Sequence, residues 1–236
     1  MKSHLVPFLA LAAIAAPASA AEVQIQASGP VIELSVNETV KAKPDIATIS
    51  AGVTSEAPTA VEAMRQNAAE MDAVIKRIKA LGIAEDDIQT TGIDLGARYD
   101  YDRDTQKQVF RGYSASNRVS VILRKVSDTG RVLDSLVAAG ATDLGGPQFS
   151  IDDDTAAKAQ ARKAAMDRAQ GQAMEYATWA GYTGVRLLEI SEAISGNQPM
   201  PMMQRAMMAE EAAATPVQPG LVGTGVNLTV KYEMTR

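Results

Sequence analysis

The chain of 236 residues has no cysteine, and its one histidine is His4. Thiol catalysis and disulfides are therefore excluded. Ser-His-Asp and Cys-His relays go with them once His4 is assigned to a leader, as argued below. So do the usual zinc sites, which are built from His and Cys. Positive charge is also in deficit: 23 basic residues stand against 28 acidic ones, a net charge of −5. A nucleic-acid binder would carry a basic patch, and polybasic adhesion to membranes needs the same surplus. No glycine-rich phosphate loop follows a strand, since Gly145-Gly146-Pro147 lacks the lysine and the helix start. What these absences leave open is a carboxylate-only enzyme, an oxygen-ligand metal site, or a protein with no catalysis. Small exported domains often need disulfide staples, so this one must rely on its core or on subunit burial.

Residues 1–20 read as a secretory signal peptide. Lys2 and His4 form a short cationic start, Leu5 to Ala16 is apolar, and Ala18-Ser19-Ala20 is a small-x-small cleavage signal before Ala21. The segment is too short to span a bilayer, and no later apolar run is long enough to do so. The expected location is the periplasm. A lipid anchor is excluded because no cysteine follows the leader.

Residues 21–30 read as an extended lead-in broken at Gly29-Pro30. Ile32, Leu34 and Val36 alternate with Glu33, Ser35 and Asn37, and Ala47, Ile49, Ala51 and Val53 repeat the pattern, predicting two half-buried strands around a Lys43-Pro44-Asp45 turn. A helix follows, with Thr59 and Glu62 at capping-box spacing. Val61, Met64, Ala68, Met71, Val74, Ile75, Ile78 and Leu81 supply its apolar face. Asp87 to Leu123 reads as a long β-hairpin with a charged tip at Asp100 to Asp104. Asp128 is expected to cap a short helix with Val132, Leu133, Leu136 and Val137 inward. Leu144 to Ile151 is a strand carrying Pro147, hence at an edge or a bulge. Asp152-Asp153-Asp154 leads into an alanine-rich helix over 155–180, and strands follow over 185–194 and 226–234. Each helix ends at a glycine (Gly82, Gly140, Gly181) placed for a left-handed cap. Three strand–helix–strand passages predict an α/β (α+β) domain over 31–236: one mixed sheet with three packed helices and the hairpin. Residues 195–220, rich in Pro and Met, read as a flexible loop within it. Helices alternating with strands exclude an outer-membrane barrel.

No stretch makes a convincing site. Asp100, Asp102 and Asp104 open like a calcium loop, but Thr105 and Arg111 stand where glycine and glutamate are required. The triple aspartate reads as a cap and dipole partner for the following helix. Adjacent acids (Asp86 with Asp87, Glu210 with Glu211) lack the convergent geometry that acid–base work demands. Met200, Met202, Met203, Met207 and Met208 are soft thioethers that could take Cu(I) or absorb oxidants. Without His or Cys support, adaptive packing against a partner explains them better. Asn117 and Arg118 in mid-strand, and Arg162, Lys163 and Arg168 on the long helix, are accounted for by solvation or inter-subunit pairing.

The motifs together resemble the SIMPL-domain family of bacterial exported proteins. The matching residues are Pro44-Asp45-x-Ala47, Gly82-Ile83, Asp87-Ile88-Gln89-Thr90, Tyr99-Asp100-Tyr101 and Gly112-Tyr113-x-Ala115-Ser116-Asn117. Leu133-Asp134, Ala161-Arg162-Lys163-Ala164, Ile190-Ser191-Glu192 and Pro199-Met200-Pro201-Met202 continue the series. They run in order through nearly the whole chain after the leader. Ser35 and Asn37 depart from it, standing where glycines are expected. The resemblance implies an α/β exported protein that forms homo-oligomers, with links to oxidative-stress tolerance and to host recognition as an antigen. It supplies no catalytic, cofactor-binding or metal-binding residues.

The expected function is therefore a periplasmic, non-enzymatic protein with no cofactor that self-assembles or binds envelope components. A Met-loop copper or oxidant protein is the alternative, and a carboxylate-dependent hydrolase a distant third. At ~3.3 Å per residue an arm from Gly112 to Leu123 would reach roughly 40 Å, far enough to project and pair with a neighbour. Tyr99, Tyr101, Tyr113 and Asn117 are the candidate contacts.

Overall fold

The computed structural model of the chain describes residues 27–200 and 215–236. The leader and Met202, Met203, Met207, Met208, Glu210 and Glu211 lie outside the described residues. The elements are β1 (Val31–Ala42), β2 (Ile46–Ala57), α1 (Ala60–Ala80), β3 (Ile88–Asp102), β4 (Lys107–Leu123), α2 (Thr129–Ala138), β5 (Asp143–Ser150), α3 (Thr155–Trp179), β6 (Gly184–Met200) and β7 (Leu221–Thr235). The α/β class, the three helices and the hairpin agree with the sequence.

The sheet differs. Among the described residues the strands form two antiparallel sheets, ordered β3-β4-β2-β5 and β1-β7-β6, instead of one mixed sheet. The strand–helix–strand passages mislead because another strand intervenes each time. The α1 passage joins β2 to β3, but β4 lies between them. The α2 passage joins β4 to β5, with β2 between. The α3 passage changes sheets altogether.

One core lies between the four-stranded sheet and α1 with α2. Ile49, Val53, Val119 and Val121 from the sheet meet Met71, Val74 and Ile78 of α1 and Val132 and Leu136 of α2. Burying each such side chain stabilises by about 1.5–3 kcal/mol. The apolar face of α1 starts at Ala63 and Asn67, while Val61 is 80% exposed, contrary to expectation. Val61 lies two residues, or about 200°, around the helix from Ala63. Val137 of α2 is likewise exposed, because Val132 and Leu136 define the inward face. Only half of the capping box forms. Thr59 accepts the N–H of Glu62, but the Glu62 carboxylate turns to Arg65 at 2.6 Å. Asp128 also gives its carboxylate to a side chain, Arg131 at 3.0 Å, and makes no cap bond. Gly140 and Gly181 carry φ of 103° and 81°, and the residues after them bond back to Leu136 and Ala177, which closes both helices as expected.

The second core lies between α3 and the three-stranded sheet. Ala161, Ala165, Ala169, Ala173 and Ala177 form one fully buried stripe, the first four packed against Val36, Val226, Leu228 and Val230. The alanine face thus closes on the chain's own sheet. Methyl side chains let the helix axis sit close to the strands. Arg168 reaches Glu38 of β1 at 2.7 Å and Arg162 grips Glu192 of β6 with two 2.6 Å bonds, so the helix is tied to both edges of the sheet.

Residues 195–200 are strand, not loop. They extend β6 beyond a bulge, with Gln198 opposite Gly223 and Met200 opposite Leu221. Pro199 is tolerated there because β6 is an edge strand. Pro147 behaves as expected, in the edge strand β5 beside a register shift at Thr48 to Ser50.

Only part of the hairpin projects. Tyr113 to Leu123 is paired with β2 from Ala57 to Ala47, so that stretch is the body of the sheet and not an arm. The two-stranded overhang comprises Lys107 to Gly112 opposite Arg98 to Asp102, roughly 15–20 Å long. Gly112 stands at its root with φ 130°, and a Cβ there would lie 2.5 Å from the Ala57 carbonyl oxygen. A bulge between Arg98 and Tyr99 adds twist at the same level.

The lead-in is held by one buried carboxylate. Glu233 of β7 accepts the N–H of Gly29 at 2.6 Å and of Ser28, and pairs with Arg186 of β6. The Arg186 bonds foremost, then the backbone N–H groups, hold its carboxyl below the usual range.

Gly112→Ala is expected to destabilise the chain by about 1–3 kcal/mol, read from urea unfolding, because neither the φ nor the Ala57 carbonyl tolerates a side chain. The depressed Glu233 carboxyl contributes stability that is complete above the unfolded glutamate value of about 4.3 and is lost as pH falls through the folded value. Wild type should therefore exceed Glu233→Gln in stability most at neutral pH, and the gap should close in acid. A gap that widened below pH 4 would refute this account of Glu233.

Candidate functional site

Two surfaces carry the features that sequence and fold leave unexplained. The first is the free edge formed by β3. It has β4 on one side and no strand on the other among the described residues, so alternate backbone N–H and C=O groups face outward along it. Ile93, Leu95, Tyr99 and Tyr101 share one face by strand alternation and are 47–63% exposed. Phe110, opposite Tyr99, continues the stripe across to β4 and packs edge-on against Tyr99 (5.6 Å between centroids) and Tyr113 (5.5 Å). This is the face that α1 covers further along the sheet. Beyond Gly112 the helix has not begun, and beside Ile93 and Leu95 it lies over β2 and β4, so the stripe is left without cover among the described residues.

Of the four expected contact residues, Tyr99 and Tyr101 lie on this exposed stripe. Tyr113 is at its root, half-buried beside Ala57, Ala63 and Ala115. Asn117 is deeper in the sheet, opposite Val53 and Ile93, and its Oδ1 is buried with no hydrogen-bond partner. The buried amide of Asn67 sits nearby, donating to the carbonyls of Val53 (2.9 Å) and Ala115 (3.0 Å). Sequence reading missed Phe110, Ile93 and Leu95, which an apolar count along alternate hairpin positions would have found. It also missed a second apolar patch on the edge strand β6, where Leu187, Ile190 and Ile194 are 43–49% exposed, and the exposed Tyr176–Trp179 pair at the end of α3.

The acidic motifs resolve into separate local roles. Asp102 makes the hairpin turn: the Thr105 hydroxyl first, then the N–H of Asp104, hold its carboxyl below the usual range, and Asp100 is taken by Arg111 at 3.0 Å. In the triple aspartate, Asp152 pairs with Arg124, Asp153 accepts the N–H of Thr155, and Asp154 pairs with Lys158. The buried Asp87 is bound in bidentate fashion by the same Arg124, at 2.8 and 2.9 Å, so Arg124 joins the entries to β3 and α3. Among the described residues no group of three or more acidic side chains is gathered as a metal would need. Met200 is the last residue of β6, and it alone of the methionine set lies within the described residues.

The second surface is the opposite, polar face of the four-stranded sheet. A hollow of about 150 Å³ is lined there by Gly52, Thr54, Gly92, Asp94, Ser116, Arg118 and Asp143, among others. Arg118 bonds Asp143, reaching across β2 at Gly52, where a Cβ would lie 3.3 Å from that of Asp143. Thr91, extruded at a bulge in β3, donates its hydroxyl to the Arg118 carbonyl at 3.2 Å. Glycines inside strands signal bulges or close approaches, and Gly52 and Gly92 were the legible sign of this hollow.

Comparison with known proteins agrees with the ordered motifs. The family model of SIMPL, a protein of unknown function (DUF541), matches residues 32–232, which spans both sheets. The chain is 32% identical to the 26 kDa periplasmic immunogenic protein of Brucella abortus over 94% of its own length and 92% of that protein's. It is 31% identical to the same-named protein of Brucella melitensis, with the same coverage. To the uncharacterized protein YggE of Escherichia coli K12 it is 31% identical, over 92% of this chain and 86% of that one. The polypeptide belongs to the SIMPL family.

Proposed function

We propose that this protein is a non-enzymatic component of the periplasm that acts by assembling with copies of itself, and in that form contributes to envelope or oxidative-stress tolerance. The leader pattern of residues 1–20 and the names of the Brucella relatives support the location. Among the described residues no helix is long and apolar enough to cross a membrane. The same names support antigenicity.

The single observation that carries assembly is the uncovered β3 edge with its stripe of Ile93, Leu95, Tyr99, Tyr101 and Phe110. A long edge strand with free backbone groups and apolar side chains is a template for pairing, and native proteins normally blunt such edges. The occupant proposed is a second copy, because the chain carries another such edge of its own. Strand β6 is unpaired on its outer side among the described residues and exposes Leu187, Ile190 and Ile194. Two different edges on one chain favour a head-to-tail contact, which closes into a ring or continues as a filament.

Light scattering or native mass measurement on the mature chain at micromolar concentration should give a mass several times that of one chain. Tyr99→Lys with Phe110→Lys should shift the population toward monomer with an unchanged circular-dichroism spectrum. A wild-type monomer under these conditions would overturn the reading.

A further inference from the structure

The hollow on the polar face of the four-stranded sheet has a composition that surface solvation does not account for. One rung of the sheet reads Gly92 (β3), Arg118 (β4), Gly52 (β2) and Asp143 (β5). The next reads Asp94, Ser116 and Thr54. Arg118 leans over Gly52 to Asp143 and so turns away from Asp94. Only one of its nitrogens, Nη2, is engaged there, which leaves further guanidinium N–H donors beside the hollow. Asp94 forms no ion pair or side-chain hydrogen bond among the described residues, and its carboxylate borders the same space, 3.8 Å from where a Cβ on Gly92 would lie. Arg118 and Asp94 therefore line one small cavity from diagonal positions, whose backbones in a sheet are about 7–8 Å apart. Glycine at 92 keeps the floor between them open.

Charge and size select the ligand class. Two carboxylates against one guanidinium leave the hollow net negative, which disfavours phosphate or a dicarboxylate. At about 150 Å³ the hollow is small and suits a compact ligand. We propose that this hollow binds a small α-amino acid as its zwitterion, the carboxylate on Arg118 and the ammonium on Asp94, with the Ser116 hydroxyl between them. The site lies on the face opposite the apolar stripe and does not rest on that reading.

Saturation-transfer NMR on the full mature chain, assembled or not, tests this with glycine as the probe, and with methylammonium and acetate as its separate halves. Glycine should give a saturable signal in the millimolar range, and each half should bind about tenfold more weakly or worse. Asp94→Asn and Arg118→Gln should each weaken glycine by about tenfold or more, with thermal unfolding showing that both remain folded. Gly92→Val, which fills the floor without changing charge, should also abolish the signal. Absence of saturation, or equal binding by wild type and the two charge variants, would overturn the site. Methylammonium binding as well as glycine would overturn the role given to Arg118.

Discussion

Strand β4 is hydrogen-bonded along both sides, to β2 from Tyr113 to Leu123 and to β3 along nearly its whole length. Most of the larger lobe depends on this double pairing. It places Val119 and Val121 under α1 and α2, and it sets β2 and β3 parallel but apart. It also leaves β3 at the edge. Where β2 ends at Ala57, the double pairing becomes single, and the hairpin runs on alone past Gly112. The exposed stripe and the polar hollow are both consequences, one on each face of the same strand. Asn117 and Arg118, adjacent in sequence, point to opposite faces and so belong to the two different surfaces.

The three-stranded sheet solves a different problem with the same economy. A helix whose buried face is alanine brings little apolar area per residue, so it gains stability by sitting close and by being pinned at its flanks. The ion pairs of Arg162 and Arg168 are partly exposed and worth little singly. Their effect is positional, because they reach opposite edge strands and fix how α3 lies over β1, β7 and β6. The clasp of Glu233 on the lead-in, with the Met234 N–H donated to the Pro30 carbonyl at 2.9 Å, ties the sheet to residues before β1. A chain without disulfides is thus held by two apolar interfaces and a set of directional polar contacts.

Much of this was legible in the residues. Alternation marked the strands, glycines marked the helix ends, and Thr59 marked the start of α1, because each depends on contacts a few residues away. Edge placement of β5 followed from Pro147 for the same reason. Residues 195–200 were misread as loop because proline, glycine and methionine suggest irregularity, whereas their pairing with Leu221 to Gly225 depends on a partner beyond residue 214. Of the candidate site, Tyr99 and Tyr101 were legible as hairpin aromatics. Asp94 and Asp143 were not, since nothing local distinguishes a solvated strand acid from one that faces an arginine two strands away.

By itself the sequence determined the α/β class, the hairpin and its turn, the SIMPL family, and the absence of any mechanism that needs Cys. These follow from composition and short-range spacing. Only the tertiary structure decided that the strands divide into two sheets, that the alanine face of α3 turns inward, and that β3 is left as an uncovered edge. It alone also brought Arg118, Asp143 and Asp94 around one hollow. The physical reason is strand order: a β-strand's partners are chosen by long-range pairing, and which side chains end up buried, exposed or opposed depends on that choice.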